Sequence, residues 1–346
     1  MSINWGVIGA GGIADRRTIP EGILGADNAE LVAVQDVDTD RLEELKEKYD
    51  VAAYTTEYDL LNDDSVEAVY IATPNHLHHD QVLAAAEAGK HILCEKPLAV
   101  TLEDCEEMVE TCASAGVKLG VNFMMRFHAC HQAIKEIVDS GELGTPVLGR
   151  AELTCWYPPI PGAFRQDPEI GGGGAFMDMG NHCVDLLEMF FGPVQRVSCF
   201  TGNLVQDYPA EDTAAALLEF KSGAKGFVDA LFNVPDAASR QALEVYGSKG
   251  SLVTFGTIGQ ESGGSINAAI EKGDKGYDAD QAREEDIKQT IEPEPVNIYA
   301  AHISAFVDAI ENDTEPPIPG EDGIWSHRVM EACYEAARTG KTVEVQ

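Results

Sequence analysis

Basic residues are scarce in this 346-residue chain: 24 Lys and Arg stand against 59 Asp and Glu, a formal net charge of −35. A field of that sign repels phosphate backbones and anionic lipid, so neither nucleic acid nor a membrane surface is expected as a general partner. An anionic small molecule is still admissible, because a few amide groups inside a cleft outweigh distant charges. The acid excess fits a salt-adapted source and an ordinary acidic protein equally well. Also missing is any apolar run long enough to span a bilayer. Met1-Ser2-Ile3-Asn4-Trp5 passes straight into an apolar segment, which leaves no room for a signal peptide. Arg16-Arg17 has no sustained apolar segment behind it, so a twin-arginine signal is not expected either. A cytoplasmic location follows as the expectation. The cysteines (Cys94, Cys105, Cys112, Cys130, Cys155, Cys183, Cys199 and Cys333) include no C-x-x-C pair. Reduced, mostly buried thiols are expected rather than disulfides or a zinc site, and no metal is expected.

At this length a single hydrophobic core stops growing, so two domains are expected. Over residues 1–124, apolar runs at 3–8, 31–34, 68–72, 91–94 and 118–123 alternate with amphipathic stretches, clearest at 39–49, 81–88 and 101–115. That alternation predicts βαβ units around a doubly wound parallel sheet. Gly89 and Gly116 sit where a left-handed residue would end a helix. Over residues 125–346 the rhythm changes. Helices are expected at 127–138 and 175–191, and strands at 147–156, 194–204, 213–220, 225–232, 243–245 and 251–255. Successive strands without long helices between them predict an α+β domain with a large, mostly antiparallel sheet. The stretch 259–295, rich in Gly, Asp, Glu and Lys, reads as surface connection. Two closing helices, at 299–311 and 323–339, can pack back on the first domain.

Gly9-Ala10-Gly11-Gly12-Ile13-Ala14 fits G-x-G-x-x-G/A directly after the first expected strand. The first glycine permits a tight turn, the second lets backbone approach a pyrophosphate, and the small Ala14 allows close helix–strand packing. The helix start then offers amide groups to the phosphates. Such a hexapeptide can be purely structural, but its place at the head of a βαβ repeat favours a dinucleotide-binding Rossmann unit. Asp36 closes the second strand, where a carboxylate can accept from adenosine ribose hydroxyls and repel a 2′-phosphate. Its competing use is to cap the next helix, which Asp38 or Thr39 could do as well. The nearest arginine downstream is Arg41, so NAD is expected over NADP.

The expected strand 91–94 delivers Glu95-Lys96-Pro97 to its carboxyl end, the place where open α/β sheets bind ligands. Thr73-Pro74-Asn75 stands at the equivalent end of the preceding strand, followed by His76, His78 and His79. Asp178 and His182 are four apart, which would put them on one face of a helix, and a carboxylate beside an imidazole suits acid–base work. The competing use is a surface pair, against which Phe176, Met177, Leu186 and Leu187 argue.

Thr73-Pro74-Asn75-His76-Leu77-His78, the run from Ala88 to Leu98 containing Glu95-Lys96-Pro97, and Gly172-Gly173-Gly174-Ala175-Phe176-Met177-Asp178-Met179-Gly180-Asn181-His182 carry a resemblance beyond spacing. Together with the glycine motif, they resemble the glucose–fructose oxidoreductase/inositol dehydrogenase/rhizopine catabolism family over almost the whole chain. The resemblance implies hydride transfer between a nicotinamide and a sugar, inositol-like polyol or keto-sugar, with Lys96, Asp178 and His182 as the catalytic group. It implies a cofactor site of Gly9, Gly11, Gly12, Ile13, Ala14, Asp36, Thr73, Pro74, Asn75, His78, Glu95 and Lys96. In this reading His182 takes the hydroxyl proton, Lys96 stabilises the reacting oxygen, and Asp178 orients His182 or binds a neighbouring hydroxyl. Substrate contacts are expected from Arg126, Tyr157 and Arg165 besides Asp178 and His182, while Trp156 and Phe164 fit pocket and core equally. A homodimer or homotetramer is implied as well. Two other readings remain: a glycosidase that retains NAD and oxidises its sugar transiently, and a cofactor-bound regulatory protein without activity.

Overall fold

The computed structural model describes residues 2–271, 273, 279 and 288–346. The chain forms two compact units. The first comprises Met1–Met124, Pro161–Asp178 and Asn297–Arg328, and the second Met125–Ile160, Met179–Val296 and Val329–Gln346.

In the first unit the strands are β1 (Ile3–Ile8), β2 (Ala29–Gln35), β3 (Ala52–Tyr54), β4 (Ala68–Ile71), β5 (His91–Cys94) and β6 (Leu119–Val121). All pair in parallel in the order β3-β2-β1-β4-β5-β6. This is the doubly wound order, with its switch point between β1 and β4. Helix Ala10–Ile23 and helices α1 (Thr39–Tyr49), α2 (Glu57–Leu61), α3 (His78–Glu87) and α4 (Leu102–Ala115) connect the strands. Central strands are covered on both faces, which is why every residue of β4 is buried. Helix α4 starts where Thr101 accepts a bond from Asp104 N at 3.1 Å and stops at Gly116, whose φ is +72°. Trp5 on β1 is fully buried, its ring centroid 5.8 Å from that of Phe306. Gly9, Asp36, Thr73 and Glu95 therefore all follow the carboxyl ends of strands, at β1, β2, β4 and β5.

The second unit holds α5 (Ala129–Asp139), β7 (Pro146–Thr154), α7 (Asn181–Phe191), β8 (Val194–Gly202), β9 (Thr213–Phe220), β10 (Lys225–Leu231), β11 (Ala242–Gly247), β12 (Gly250–Phe255), β13 (Ile266–Ile270), β14 (Lys288–Ile291) and β15 (Val343–Glu344). The short helix α6 (Pro168–Gly171) and α8 (Ile298–Glu311) belong to the first unit, and α9 (Gly320–Thr339) runs from the first into the second. The sheet order is β14-β13-β12-β11-β7-β10-β9-β8-β15, antiparallel except for the β7–β10 pair. Helix α7 lies on one face of β7 and β10.

The stretch 259–295 corrects the expectation of plain surface connection. Within it β13 buries Ile266, Ala268 and Ile270 alternately, and β14 pairs with it. Glycine and charge on either side hid a five-residue strand. Residues 272, 274–278 and 280–287 of that stretch lie outside the described residues. The expected helix over 175–191 is formed, with a π-helical first turn, Phe176–Gly180, that runs into α7. All eight cysteines are free thiols, and among the described residues no helix is long and apolar enough to cross a membrane.

On the sheet face opposite α7, a cavity of about 430 Å³ is lined by Arg150, Glu152, Phe227, Asp229, Arg240 and Glu244. Asp229 stands opposite Glu152 in the β10–β7 register. Burial, helped by the Glu152 charge, pushes its carboxyl from 3.8 up to about 6. The folded state therefore binds more protons than the unfolded state between those values, so stability falls as pH rises through that window. Asp229→Asn is expected to raise the melting temperature relative to wild type at pH 8 and to lose that advantage near pH 4. Paired thermal melts check it, and an equal shift at both pH values would refute it.

Candidate active site

Gly9 leaves β1 with φ 76° and ψ 48°, and a Cβ there would lie 2.9 Å from the Thr73 amide nitrogen. Only glycine meets both conditions. Gly11 N donates to Asp36 Oδ2 at 2.7 Å, and a Cβ on Gly11 would meet that oxygen at 2.9 Å. A Cβ on Gly12 would meet nothing within 4 Å, so the loop opens there to solvent. Ile13 is half-buried and Ala14 fully buried, against the strand. Asp38, not Asp36, caps α1, accepting from Arg41 N at 3.1 Å. The Asp36 carboxylate is thus held beside the glycine loop rather than spent on a helix end. An open backbone cradle with an acceptor at its rim fits a dinucleotide, with Gly9 to Ala14 for the pyrophosphate and Asp36 for the ribose.

At the end of β4, Thr73 Oγ1 donates to Gln81 Oε1 at 2.6 Å and Asn75 Nδ2 to the Gly171 carbonyl at 2.8 Å. Pro74 leads into the short turn Asn75–Leu77. His78 is wholly buried, with Nε2 2.9 Å from the Thr73 carbonyl and Nδ1 3.1 Å from that of Pro97. Burial lowers its pKa, and the ring lies between the two loops.

Glu95 is gripped from the core. Tyr70 OH and Asn122 Nδ2 both donate to its Oε1, the latter at 2.9 Å. Asn122 in turn accepts at Oδ1 from His302 Nδ1 at 3.0 Å. The next residue, Lys96, sends its ammonium to Asp178: Nζ lies 2.7 Å from Oδ1 and 2.9 Å from the Asp178 carbonyl. Its side chain is only 8% exposed. Arg165 Nε reaches the same Oδ1 at 3.0 Å, while its guanidinium lies over the half-buried ring of Phe164, 4.4 Å from the centroid. The structure thus brings Lys96, Arg165 and Asp178 together in one unit.

Burial alone would raise the Asp178 carboxyl, but Arg165 and Lys96 override it and hold the group well below its ordinary value of 3.8. A depressed folded-state pKa contributes stability above the unfolded value, which is lost as pH falls below it. Carboxyl-detected NMR should therefore find Asp178 still ionised where free aspartate is half protonated. Protonation at pH 4 or above would refute the ion-pair geometry.

In the second unit, His182 is 6% exposed in the first turn of α7. One turn on, buried Asp185 takes a two-point contact from Arg126 Nε, at 2.9 and 3.1 Å. Asp178 lies in the π-helical turn that leads into α7. Tyr157 packs its ring against Phe232 with centroids 4.8 Å apart. Trp156 is 44% exposed, which removes it from the core. Sequence reasoning missed Tyr70, Asn122, His302 and Asp185. The available signal was a polar residue set in an apolar run, at 122 between Val121 and Phe123, and at 302 in α8.

Residues 3–123 match an oxidoreductase family with an NAD-binding Rossmann fold, and residues 131–253 match the GFO/IDH/MocA C-terminal domain. A 1,5-anhydro-D-fructose reductase of Ensifer adhaerens is 32% identical over 354 residues, covering 99% of this chain and 98% of its own. A D-xylose 1-dehydrogenase (NADP(+)) of Haloferax volcanii is 31% identical, covering 99% of both chains. Among solved structures, the aldose-aldose oxidoreductase from Caulobacter crescentus complexed with glycerol superposes with a TM-score of 0.88 at 26% identity, over 99% of this chain and 100% of that one. With both of its domain types matched and relatives aligned end to end, the chain belongs to the GFO/IDH/MocA oxidoreductase family.

Proposed function

We propose that this oxidoreductase uses NAD to interconvert a hydroxyl and a carbonyl on a sugar, inositol-like polyol or keto-sugar. The observation that carries the reading is the nearly buried Lys96 ammonium. It sits at the carboxyl end of β5, on the same edge of the sheet as the Gly9–Asp36 cradle. When bound, the nicotinamide supplies the carbon that accepts or returns the hydride.

An ammonium has three N–H donors. Lys96 points two at Asp178, at its carbonyl and at Oδ1, which leaves the third for the substrate oxygen. There it stabilises the negative charge that grows as the O–H proton leaves. His182 takes that proton as the general base. Asp178 aims Lys96 and offsets one of the two positive charges that Lys96 and Arg165 bring. Asn75 and Glu95 place the nicotinamide ribose, with His78 supporting their loops. Arg165 and Tyr157 contact substrate hydroxyls, and Arg126 braces α7 through Asp185. A homodimer or homotetramer joined through the open face of the nine-stranded sheet completes the proposal; sedimentation measures it.

The test is a panel of polyols, aldoses and keto-sugars with NAD or NADH, followed at the nicotinamide absorbance. Sustained turnover of one member supports the reading. Glycosidic cleavage without net NADH, by protein that keeps NAD through purification, would replace it with the glycosidase reading.

A further inference from the structure

We propose that Asp15 and Glu44 are specificity determinants for the adenosine end of the cofactor, because they hold Arg41 away from the place a 2′-phosphate would take beside Asp36. The proposal rests on the reading that Asp36 receives the ribose. Arg41 is the first arginine after Asp36 and lies in the first turn of α1. Its stem and the Asp36 carboxylate flank the same point of the glycine loop. A Cβ on Gly11 would meet Asp36 Oδ2 at 2.9 Å and Arg41 Cγ at 3.1 Å. A guanidinium so placed could clamp a phosphate with two parallel bonds.

Its fork is engaged elsewhere. One terminal nitrogen binds Asp15 Oδ2 and the other Glu44 Oε2. Asp15 is a fixed anchor: it is 7% exposed, and its other oxygen takes Lys48 Nζ at 2.6 Å and Tyr49 OH at 2.7 Å. It stands on the helix that begins with the glycine loop, so one buried carboxylate ties that helix to α1 and commits the arginine. Burial would raise the Asp15 carboxyl, but Lys48, Tyr49 and Arg41 hold it below its ordinary value, so the anchor stays charged. NADP is thus opposed twice, by the repulsion of Asp36 and by an arginine already neutralised.

The test compares binding of 2′,5′-ADP and 5′-AMP by calorimetry, alongside kcat/KM for NADP and NAD. Asp36→Ser should raise the preference for 2′,5′-ADP by at least about tenfold by removing a like charge. Adding Asp15→Asn and Glu44→Gln should raise it about tenfold more, by freeing a bidentate donor. Arg41→Leu in that background should erase the second gain. Glu44 is exposed, so Asp36→Ser with Glu44→Gln alone keeps the core intact and should show part of the gain even if Asp15→Asn does not fold. No gain in either combination beyond Asp36→Ser would overturn the role of Asp15 and Glu44. So would a drop in 2′,5′-ADP affinity on Arg41→Leu in the otherwise unchanged protein, since Arg41 would then already serve the phosphate. An unchanged preference on Asp36→Ser would instead overturn the assignment of Asp36 itself.

Discussion

Lys96→Met and His182→Ala are each expected to lower kcat by at least about a hundredfold, the usual scale for losing a charge-stabilising donor or an acid–base group. Methionine keeps the length of the Lys96 side chain and removes only its donors, so the loss reads the ammonium directly. NAD affinity should change far less, because the cradle at Gly9, Gly11 and Asp36 lies on other strand ends. The double variant should be little worse than the poorer single one, since groups acting on one oxygen are not additive. Asp178→Asn should cost less than Lys96→Met. The asparagine keeps the main-chain acceptor 2.9 Å from Lys96 Nζ and loses only the charge at Oδ1. Turnover and cofactor binding, measured together on folded protein, separate these outcomes. Near-full activity in both Lys96→Met and His182→Ala would place the reacting oxygen elsewhere in the cleft.

The first unit was legible because a parallel sheet covered on both faces writes itself as unbroken apolar runs. The run 91–94 and the amphipathic stretch 39–49 became β5 and α1 without a shift in bounds. Strand β3 and helix α2, three and five residues long, are too short to establish a period. Strand β13 was masked by its flanks rather than by its own pattern. The positions at strand ends, from Gly9 to Lys96, could be placed from the glycine turn and the Glu-Lys-Pro element alone. Partnership within the site could not. The four-residue spacing pointed Asp178 at His182 and gave no sign that its Oδ1 meets Lys96 and Arg165, which come from other parts of the chain. Nor does any local pattern announce that Asn122 and His302, 180 residues apart, share a hydrogen bond behind Glu95.

NAD is expected to be preferred to NADP by on the order of a hundredfold in kcat/KM. A 2′-phosphate placed beside Asp36 would set two like charges about 4 Å apart, which costs ~4 kcal/mol at an effective dielectric of about 20. Screening and side-chain movement reduce that figure. Losing the bond from a ribose hydroxyl to the carboxylate then adds ~1.5 kcal/mol or more. Even half of the repulsion with that loss comes to ~3.5 kcal/mol, more than two factors of ten at 1.4 kcal/mol each. The family does not decide the matter, since the Haloferax volcanii relative carries NADP(+) in its name at 31% identity. The decision lies with the side chains at the end of β2, where Asp36 is held to Gly11 N at 2.7 Å and Asp38 does the capping. The comparison belongs at about 0.1 M salt, because concentrated salt shortens the reach of the repulsion and narrows the ratio. A preference that narrows as salt is raised would identify charge as its source. Equal or better use of NADP at low salt would remove Asp36 from the role of selector.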